Sequence, residues 1–161
     1  MKRFWITVGV EPCEGGHRIT LDGRPIRTQG GNPQAVPTRE LAEAMADEWR
    51  GQGEQVDPKA FPLRDLADYA IDHVRGDREG TVAKLLGYAE TDTLCYRAAS
   101  LTVALAALEP GADPAALFDA ANCEQDWQAE LWGWDHEAER TRAAKLAAFE
   151  AAARFARLAR T

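Results

Sequence analysis

The stretch at residues 116–134 places polar side chains inside the apolar face of a predicted helix. Asp113 is typical of a helix start, and Gly133 is typical of a helix end. At 100° per residue, one stripe of this helix carries the apolar residues Leu117, Ala120, Ala121, Trp127 and Leu131. Glu124 lies near the middle of that stripe, and Gln128 follows one turn later. Since an unpaired buried carboxylate is costly, Glu124 must find a donor, raise its pKa or lie where another molecule covers it.

Two interpretations of Glu124 follow from this pattern. In the first, it is a core residue whose carboxylate is satisfied by Gln128 and by backbone groups, because buried polar groups are nearly always hydrogen-bonded. In the second, Glu124 and Gln128 belong to a partner-binding surface with Trp127, Trp132 and Trp134. Three of the five tryptophans stand in this short stretch, and tryptophan is enriched at interface hot spots. Core packing is an equally good interpretation of Trp127 alone.

The N-terminal segment has the alternation of a small antiparallel sheet. Phe4 and Ile6 begin a period-two apolar pattern over residues 4–10, and residues 17–21 alternate again. Asp22 and Gly23 form a strong hairpin signal before a third predicted strand at residues 24–28. The sequence therefore predicts a three-stranded meander.

The remainder of the chain has helical spacing. Thr38 is the expected N-cap of a helix over residues 39–50. Further helices are predicted at residues 63–74, 81–88, 101–108 and 135–160. The predicted fold class is therefore α+β, with a small β-rich N-terminal domain at residues 1–36 and a mostly α-helical domain at residues 37–161.

Three aspartates in the second predicted helix could suggest a metal site. Asp65, Asp68 and Asp72 share the side opposite its apolar residues. Hard cations, however, usually draw their ligands from loops that wrap the ion, and a charged helix face is usually solvated. We therefore expect a solvated face, and no metal or cofactor is predicted.

Charge and cysteine content exclude several classes of protein. A net charge of −7 with a pI near 5.0 argues against nucleic acid as the partner, because phosphate binding requires clustered Lys and Arg. No apolar run approaches the length needed to cross a bilayer, and no signal peptide is visible. The cysteines are three in number and lack metal-ligand spacing. We expect a cytoplasmic protein, or a mitochondrial matrix protein whose presequence has been removed.

A second polar cluster surrounds Asp92, which stands between two threonines and precedes Arg97. Nucleophilic catalysis by Cys95 would need a base, and no histidine has a supporting motif. Pairing of Asp92 with Arg97 would fix how this region meets its neighbours. The alternative is a small-ligand-binding or enzymatic domain that uses Asp92, Arg97 and Glu124, because carboxylates in different environments can serve as acid and base.

Several short motifs resemble the assembly-factor family of F-type ATP synthase, the "ATP twelve" family. They are LDGRP at residues 21–25, PT at 37–38, EW at 48–49, PL at 62–63, TDTLCYR at 91–97, EQDWQ at 124–128 and WG at 132–133. The resemblance implies a β-rich N-terminal domain before a helical domain, and no enzymatic activity. It also implies a chaperone that binds the unassembled alpha subunit of the ATP synthase and prevents its aggregation.

The expected partner-binding residues are Glu124, Gln128, Trp127, Trp132, Trp134, Asp92 and Arg97. We expect a monomer. The chain departs from the family pattern at one place. A substantial helical segment that the family carries after the motif at residues 91–97 is missing here, and the apparent shortening lies near residues 98–100.

Overall fold

The computed structural model describes residues 1–89 and 101–160, which form two compact units. Unit 1 contains residues 1–78 and residues 155–160, and unit 2 contains residues 79–154. An antiparallel sheet precedes the helices, so the predicted α+β class is confirmed. The predicted domain division after residue 36 stays a prediction. The apparent shortening near residues 98–100 lies outside the described residues.

The sheet of unit 1 has three antiparallel strands in the order β1-β2-β3. These strands are β1 (Val8–Cys13), β2 (Gly16–Leu21) and β3 (Arg24–Pro25). Asp22 and Gly23 connect β2 to β3 with positive φ angles of 49° and 77°, as a tight hairpin turn requires. The predicted turn is therefore confirmed.

The predicted first strand begins too early. Phe4 and Ile6 were expected to face the core but are 69% and 86% exposed, whereas Trp5 is buried. The Asp22 carboxylate accepts hydrogen bonds from the backbone N–H groups of Ile6 at 3.0 Å and Thr7 at 2.7 Å. These bonds lower the pKa of Asp22 and tie the segment to the hairpin turn, so regular pairing starts only at Val8.

Helix α1 (Arg39–Arg50) packs against β1 and β2. Its predicted N-cap is confirmed, because Thr38 Oγ1 accepts from the Leu41 backbone N–H at 3.2 Å. The same hydroxyl donates to the backbone carbonyl of Leu158, which belongs to the C-terminal part of unit 1. The buried core contains Ile19, Val36, Leu41, Ala42, Ala44, Met45, Ala46, Leu63 and Ala67.

Glu48 connects α1 to α2 (Pro62–Tyr69). Phe61 precedes α2 and supplies no side-chain cap, so the first N–H groups of the helix need an acceptor from elsewhere. The Glu48 carboxylate accepts from the backbone N–H groups of Leu63 at 2.7 Å and Arg64 at 3.0 Å. Burial raises the pKa of Glu48, and these two donors oppose that shift. One acidic side chain thus caps the following helix.

Trp49 stands beside Glu48 and lies between two other aromatic rings. Its ring centroid is 5.0 Å from that of Trp5 and 4.7 Å from that of Phe61. Trp49 is half-buried, and its neighbours Trp5 and Phe61 are buried. These edge-to-face and tilted ring contacts join the N-terminal segment to the start of α2.

The prediction of a solvated aspartate face on the second helix is wrong for Asp68 and Asp72. Asp68 is buried, and it accepts from the Gln34 side chain and from the Gln29 backbone N–H at 3.2 Å. Asp72 lies in a π-helical turn, Ala70–Val74, that continues α2. It accepts from Thr28 Oγ1, Asn32 Nδ2 and Gly30 N at 2.6, 2.8 and 2.8 Å. The two carboxylates therefore hold the loop that follows β3.

Unit 2 is entirely helical in the part that the structure describes. Its helices are α3 (Arg78–Ala89), which begins at the last residue of unit 1, α4 (Leu101–Ala106), α5 (Pro114–Trp132) and α6 (His136–Leu158), whose last turn lies in unit 1. Val103, Ala107 and Phe118 are buried, and the Phe118 ring lies 6.2 Å from that of Phe149. The predicted helices are confirmed with shifted ends.

Replacing Glu48 with alanine should destabilise unit 1. Two N–H groups at the start of α2 would lose their acceptor, and the loss of a helix cap costs about 1–2 kcal/mol. Urea unfolding monitored by tryptophan fluorescence measures the change. Glu54→Ala is the matched control, because that side chain is 85% exposed and forms a weak surface ion pair with Lys2 at 3.7 Å. Equal stability of the two variants would contradict the capping role.

Candidate partner-binding site

Helix α5 begins and ends where the sequence predicted. Asp113 accepts from the backbone N–H groups of Ala115 at 2.9 Å and Ala116 at 3.4 Å, which confirms the N-cap. Gly133 ends the helix with a φ of 93°, a conformation that favours glycine. Between these ends, the C-terminal half of the helix carries most of the residues that the sequence selected for partner binding.

The C-terminal half of α5 exposes large apolar side chains. Trp127, Leu131 and Trp132 are 59%, 58% and 87% exposed. Glu124 and Gln128 are also exposed and lie on the same side of the helix as Trp127 and Leu131. We call these five residues the α5 surface. Glu124 and Gln128 therefore lie among the exposed apolar side chains of this half of the helix.

The interpretation of Glu124 as a buried core residue is wrong. The face of α5 that is buried consists of Phe118, Ala121 and Asn122, and the stripe predicted to face the core is mostly exposed. Asn122 Nδ2 donates to the Phe118 carbonyl at 2.7 Å, so a polar residue other than Glu124 occupies the buried face. Glu124 is exposed to solvent, and its assignment to a partner-binding surface stays a prediction.

Arg142 of α6 contacts α5 on the side of the helix that is opposite the α5 surface. Its Nε and Nη2 donate to the two carboxylate oxygens of Asp126 at 2.7 and 2.5 Å, and Nη2 also donates to Asp119 at 2.8 Å. These bonds raise the pKa of the Arg142 guanidinium above its ordinary value, the pair with Asp126 contributing most. The guanidinium also lies 5.4 Å from the Phe118 ring centroid and 6.0 Å from that of Trp134. A fork-shaped contact of this kind fixes orientation as well as distance.

Trp134 is positioned by this contact. It is 38% exposed and lies just beyond the end of α5. With Asp126, Glu130 and Arg142 it lines a shallow cavity of about 490 Å³. Its environment is therefore partly polar and differs from that of the fully exposed Trp132.

The charge left on α5 is negative. The helix carries Asp119, Glu124, Asp126 and Glu130, and it contains no Lys or Arg. Arg142 pairs with Asp119 and Asp126, and its single positive charge balances one of the four negative charges. The α5 surface therefore combines exposed apolar rings with the nearby carboxylates of Glu124 and Glu130. Such a surface suits a partner that is apolar and basic.

Asp92 and Arg97 lie outside the described residues, as does Cys95. Their assignment to a partner-binding site stays a prediction, and so does the alternative domain that would use Asp92, Arg97 and Glu124. Among residues 1–89 and 101–160, no three His, Cys, Asp or Glu side chains are arranged to hold a metal ion. Within the same residues, no helix is long and apolar enough to cross a membrane.

Two residues of the site were not selected from the sequence. Leu131 was assigned to the apolar stripe but not to the partner-binding set. Arg142 was not singled out among the charged residues of the last predicted helix. The spacing of Asp119 and Asp126, two turns apart on one helix, is the signal that could have indicated a shared cationic partner.

The chain is similar to proteins of one known family. A family model described as "ATP12 chaperone protein" matches residues 2–129. The crystal structure of Atp12 from Paracoccus denitrificans is 29% identical, with a TM-score of 0.80, and the match covers 99% of this chain and 98% of that one. A mutant of P. denitrificans Atp12p is 28% identical over the same shares, with a TM-score of 0.79. A candidate chaperone from Agrobacterium tumefaciens is 25% identical, with a TM-score of 0.92 over 99% of this chain and 86% of that one.

Replacing Arg142 with lysine should loosen the contact between α5 and α6. Lysine keeps the charge but cannot form the paired hydrogen bonds to Asp126, so we expect unit 2 to lose about 1–2 kcal/mol of stability. Urea unfolding and near-UV circular dichroism of Trp134 measure the effect. The control is Arg140→Lys, because among the described residues Arg140 donates only to the His136 carbonyl, at 3.3 Å. An Arg142→Lys variant as stable as this control would contradict the proposed contact.

Proposed function

This chain belongs to the ATP12 chaperone protein family, and we propose that it binds the unassembled alpha subunit of F-type ATP synthase. In this proposal the chaperone covers an apolar surface of the alpha subunit and keeps it from aggregating until assembly. The protein makes and breaks no covalent bond. Its place of action is the bacterial cytoplasm or the mitochondrial matrix, and it acts as a monomer.

The exposed apolar residues of the α5 surface are the observation that carries this proposal. A chain that exposes Trp127, Leu131 and Trp132 leaves a large apolar area in water. Each tryptophan can bury roughly 150–250 Å² in an interface, and apolar burial stabilises by about 25 cal/mol per Å². Two such rings would supply several kcal/mol of gross binding free energy. The costs of association, about 4–15 kcal/mol, offset part of this gain.

Glu124 of the α5 surface and the nearby Glu130 would determine which partner surface fits. The ion pairs of Arg142 are made with Asp119 and Asp126, not with these two carboxylates. A client surface with lysine or arginine beside its apolar area would pair with them, whereas an acidic surface would be repelled. We therefore propose that the α5 surface selects its client by charge and holds it by apolar contact.

The support differs among the proposed site residues. Glu124, Trp127 and Gln128 lie within the family match, which ends at residue 129. Trp132 and Trp134 lie beyond it, so their inclusion rests on their exposure and position. Asp92 and Arg97 are included because they belong to the motif at residues 91–97 that resembles the family.

Replacing Trp127 and Trp132 with alanine should weaken binding of the alpha subunit by at least about tenfold, because central aromatic residues dominate most interfaces. Pulldown with purified alpha subunit and light scattering during its dilution from denaturant measure binding and aggregation. Tyr69→Ala is the matched control, since Tyr69 is 61% exposed but belongs to unit 1. The proposal fails if the wild-type chain neither captures the alpha subunit nor suppresses its aggregation.

Charge reversal at Glu124 tests the polar part of the surface. Because Glu124 is exposed, we expect Glu124→Lys to weaken client binding while the far-UV circular dichroism and the unfolding midpoint stay unchanged. Glu150→Lys makes the same charge change at an exposed position of α6 and should bind normally. Global unfolding of Glu124→Lys would instead show a structural role for this carboxylate. Equal binding by the two variants would remove Glu124 from the site.

A further inference from the structure

The N-terminal segment of unit 1 holds two large apolar side chains in water. Phe4 and Ile6 are exposed, whereas Trp5 between them is buried. The backbone of this segment is nevertheless fixed, because hydrogen bonds join its first three residues to residues 54–56 and the Asp22 carboxylate accepts from Ile6. Phe4 is therefore already oriented for a contact, and binding through it would cost little ordering entropy.

Phe4 forms one wall of an open groove of about 340 Å³, which we call the N-terminal groove. Leu21, Pro25, Ile26 and Trp49 supply the rest of its apolar lining, and all of these residues belong to unit 1. Leu21 is buried and Trp49 is half-buried, so the floor of the groove is apolar. The volume is near the lower limit for ligand pockets, which is enough for one or two side chains of a partner.

Two motifs that carry the family resemblance meet at the N-terminal groove. LDGRP at residues 21–25 supplies Arg24 and Pro25, and EW at residues 48–49 supplies Trp49. The hairpin turn accounts for the Asp and the Gly of the first motif, because both have positive φ angles. It does not account for Arg24 and Pro25, which are exposed. The motif thus places two side chains at the mouth of the groove, where a partner can reach them.

The side-chain groups that stay available at the N-terminal groove are hydrogen-bond donors. The carboxylate of Asp68, which lines the groove, already accepts from two donors of the loop after β3. Arg64 pairs with the carboxylate of the next residue. Arg27 uses one N–H on a backbone carbonyl at 2.8 Å, and Arg24 lies near the Asp22 carboxylate but forms no hydrogen bond within the part of the chain that the structure describes. These two exposed guanidinium groups suit a carboxylate beside the side chain that fills the groove.

We propose that the N-terminal groove is a second contact site for the client, and that it takes a large apolar side chain with a carboxylate beside it. The inference rests on the proposed function, because the occupant is a segment of the alpha subunit. Unit 1 would bind an apolar and acidic part of the client, whereas the α5 surface would bind an apolar and basic part. Two sites with opposite charge preferences would discriminate better against other proteins than either site alone.

Truncation of Phe4 tests the apolar part of the groove. Phe4→Ser should weaken binding of purified alpha subunit by about fivefold or more, because loss of an aromatic anchor is costly in most interfaces. Phe4→Leu keeps an apolar wall and should bind within about twofold of the wild-type chain. Surface plasmon resonance with the chaperone immobilised measures the affinity. Tyr69→Ser is the matched control, since Tyr69 is an exposed aromatic residue of unit 1 that does not line the groove.

Charge reversal at Arg24 tests the charged part. Arg24→Glu should weaken binding of the alpha subunit by about tenfold or more, because it replaces attraction with repulsion. Arg39→Glu makes the same charge change at an exposed position outside the groove and should alter binding by less than about threefold. Thermal melting checks that the variants fold, and Arg24→Gln replaces Arg24→Glu if the latter does not.

The controls separate this proposal from the proposed function. Equal binding by Phe4→Ser and Tyr69→Ser, or by Arg24→Glu and Arg39→Glu, would overturn the second contact site. The proposed function would still stand if the wild-type chain binds and the variant with alanine at Trp127 and Trp132 binds weakly. A wild-type chain that does not bind the alpha subunit would overturn both. If Phe4→Ser instead converts a dimer to a monomer in size-exclusion chromatography, a second copy of this chain covers the groove, and the proposal is wrong.

Discussion

Carboxylates that accept hydrogen bonds from backbone N–H groups hold the elements of unit 1 together. Asp22 ties the N-terminal segment to the hairpin, Glu48 caps α2, and Asp68 and Asp72 fasten the loop after β3. Each of these contacts satisfies a donor at a place where no strand or helix could do so. Some of the acidic residues that give the chain its net charge of −7 therefore stabilise the fold.

Local patterns in the sequence were enough to predict features whose cause is local. The N-caps Thr38 and Asp113, the terminator Gly133 and the hairpin turn at Asp22 were all identified correctly. Each depends on the conformational preference or hydrogen-bonding reach of a residue and its immediate neighbours. The α+β class followed from the change of apolar period along the chain.

The features that were missed depend on contacts between residues far apart in the sequence. Nothing near Asp68 or Asp72 reveals that residues some forty positions earlier supply their donors. The buried face of α5 was likewise misassigned, because the contact with Arg142 and Phe149 decides which side turns inward. Periodicity alone assigned this stripe of α5 to the core, but its residues in the C-terminal half of the helix are exposed and belong to the α5 surface. An apolar stripe on a helix predicts burial, but the burial can be supplied by another molecule.

The last turn of α6 couples the folding of unit 1 to the folding of unit 2. Phe155, Leu158 and Ala159 pack against the core of unit 1, so unit 2 is an insertion between two parts of one core. Bringing these residues to that core closes a loop made of unit 2. Loop closure costs less entropy when the intervening chain is already compact. Folding of unit 2 therefore lowers the entropic barrier to completing unit 1, and a loss of structure in one is transmitted to the other through chain connectivity alone.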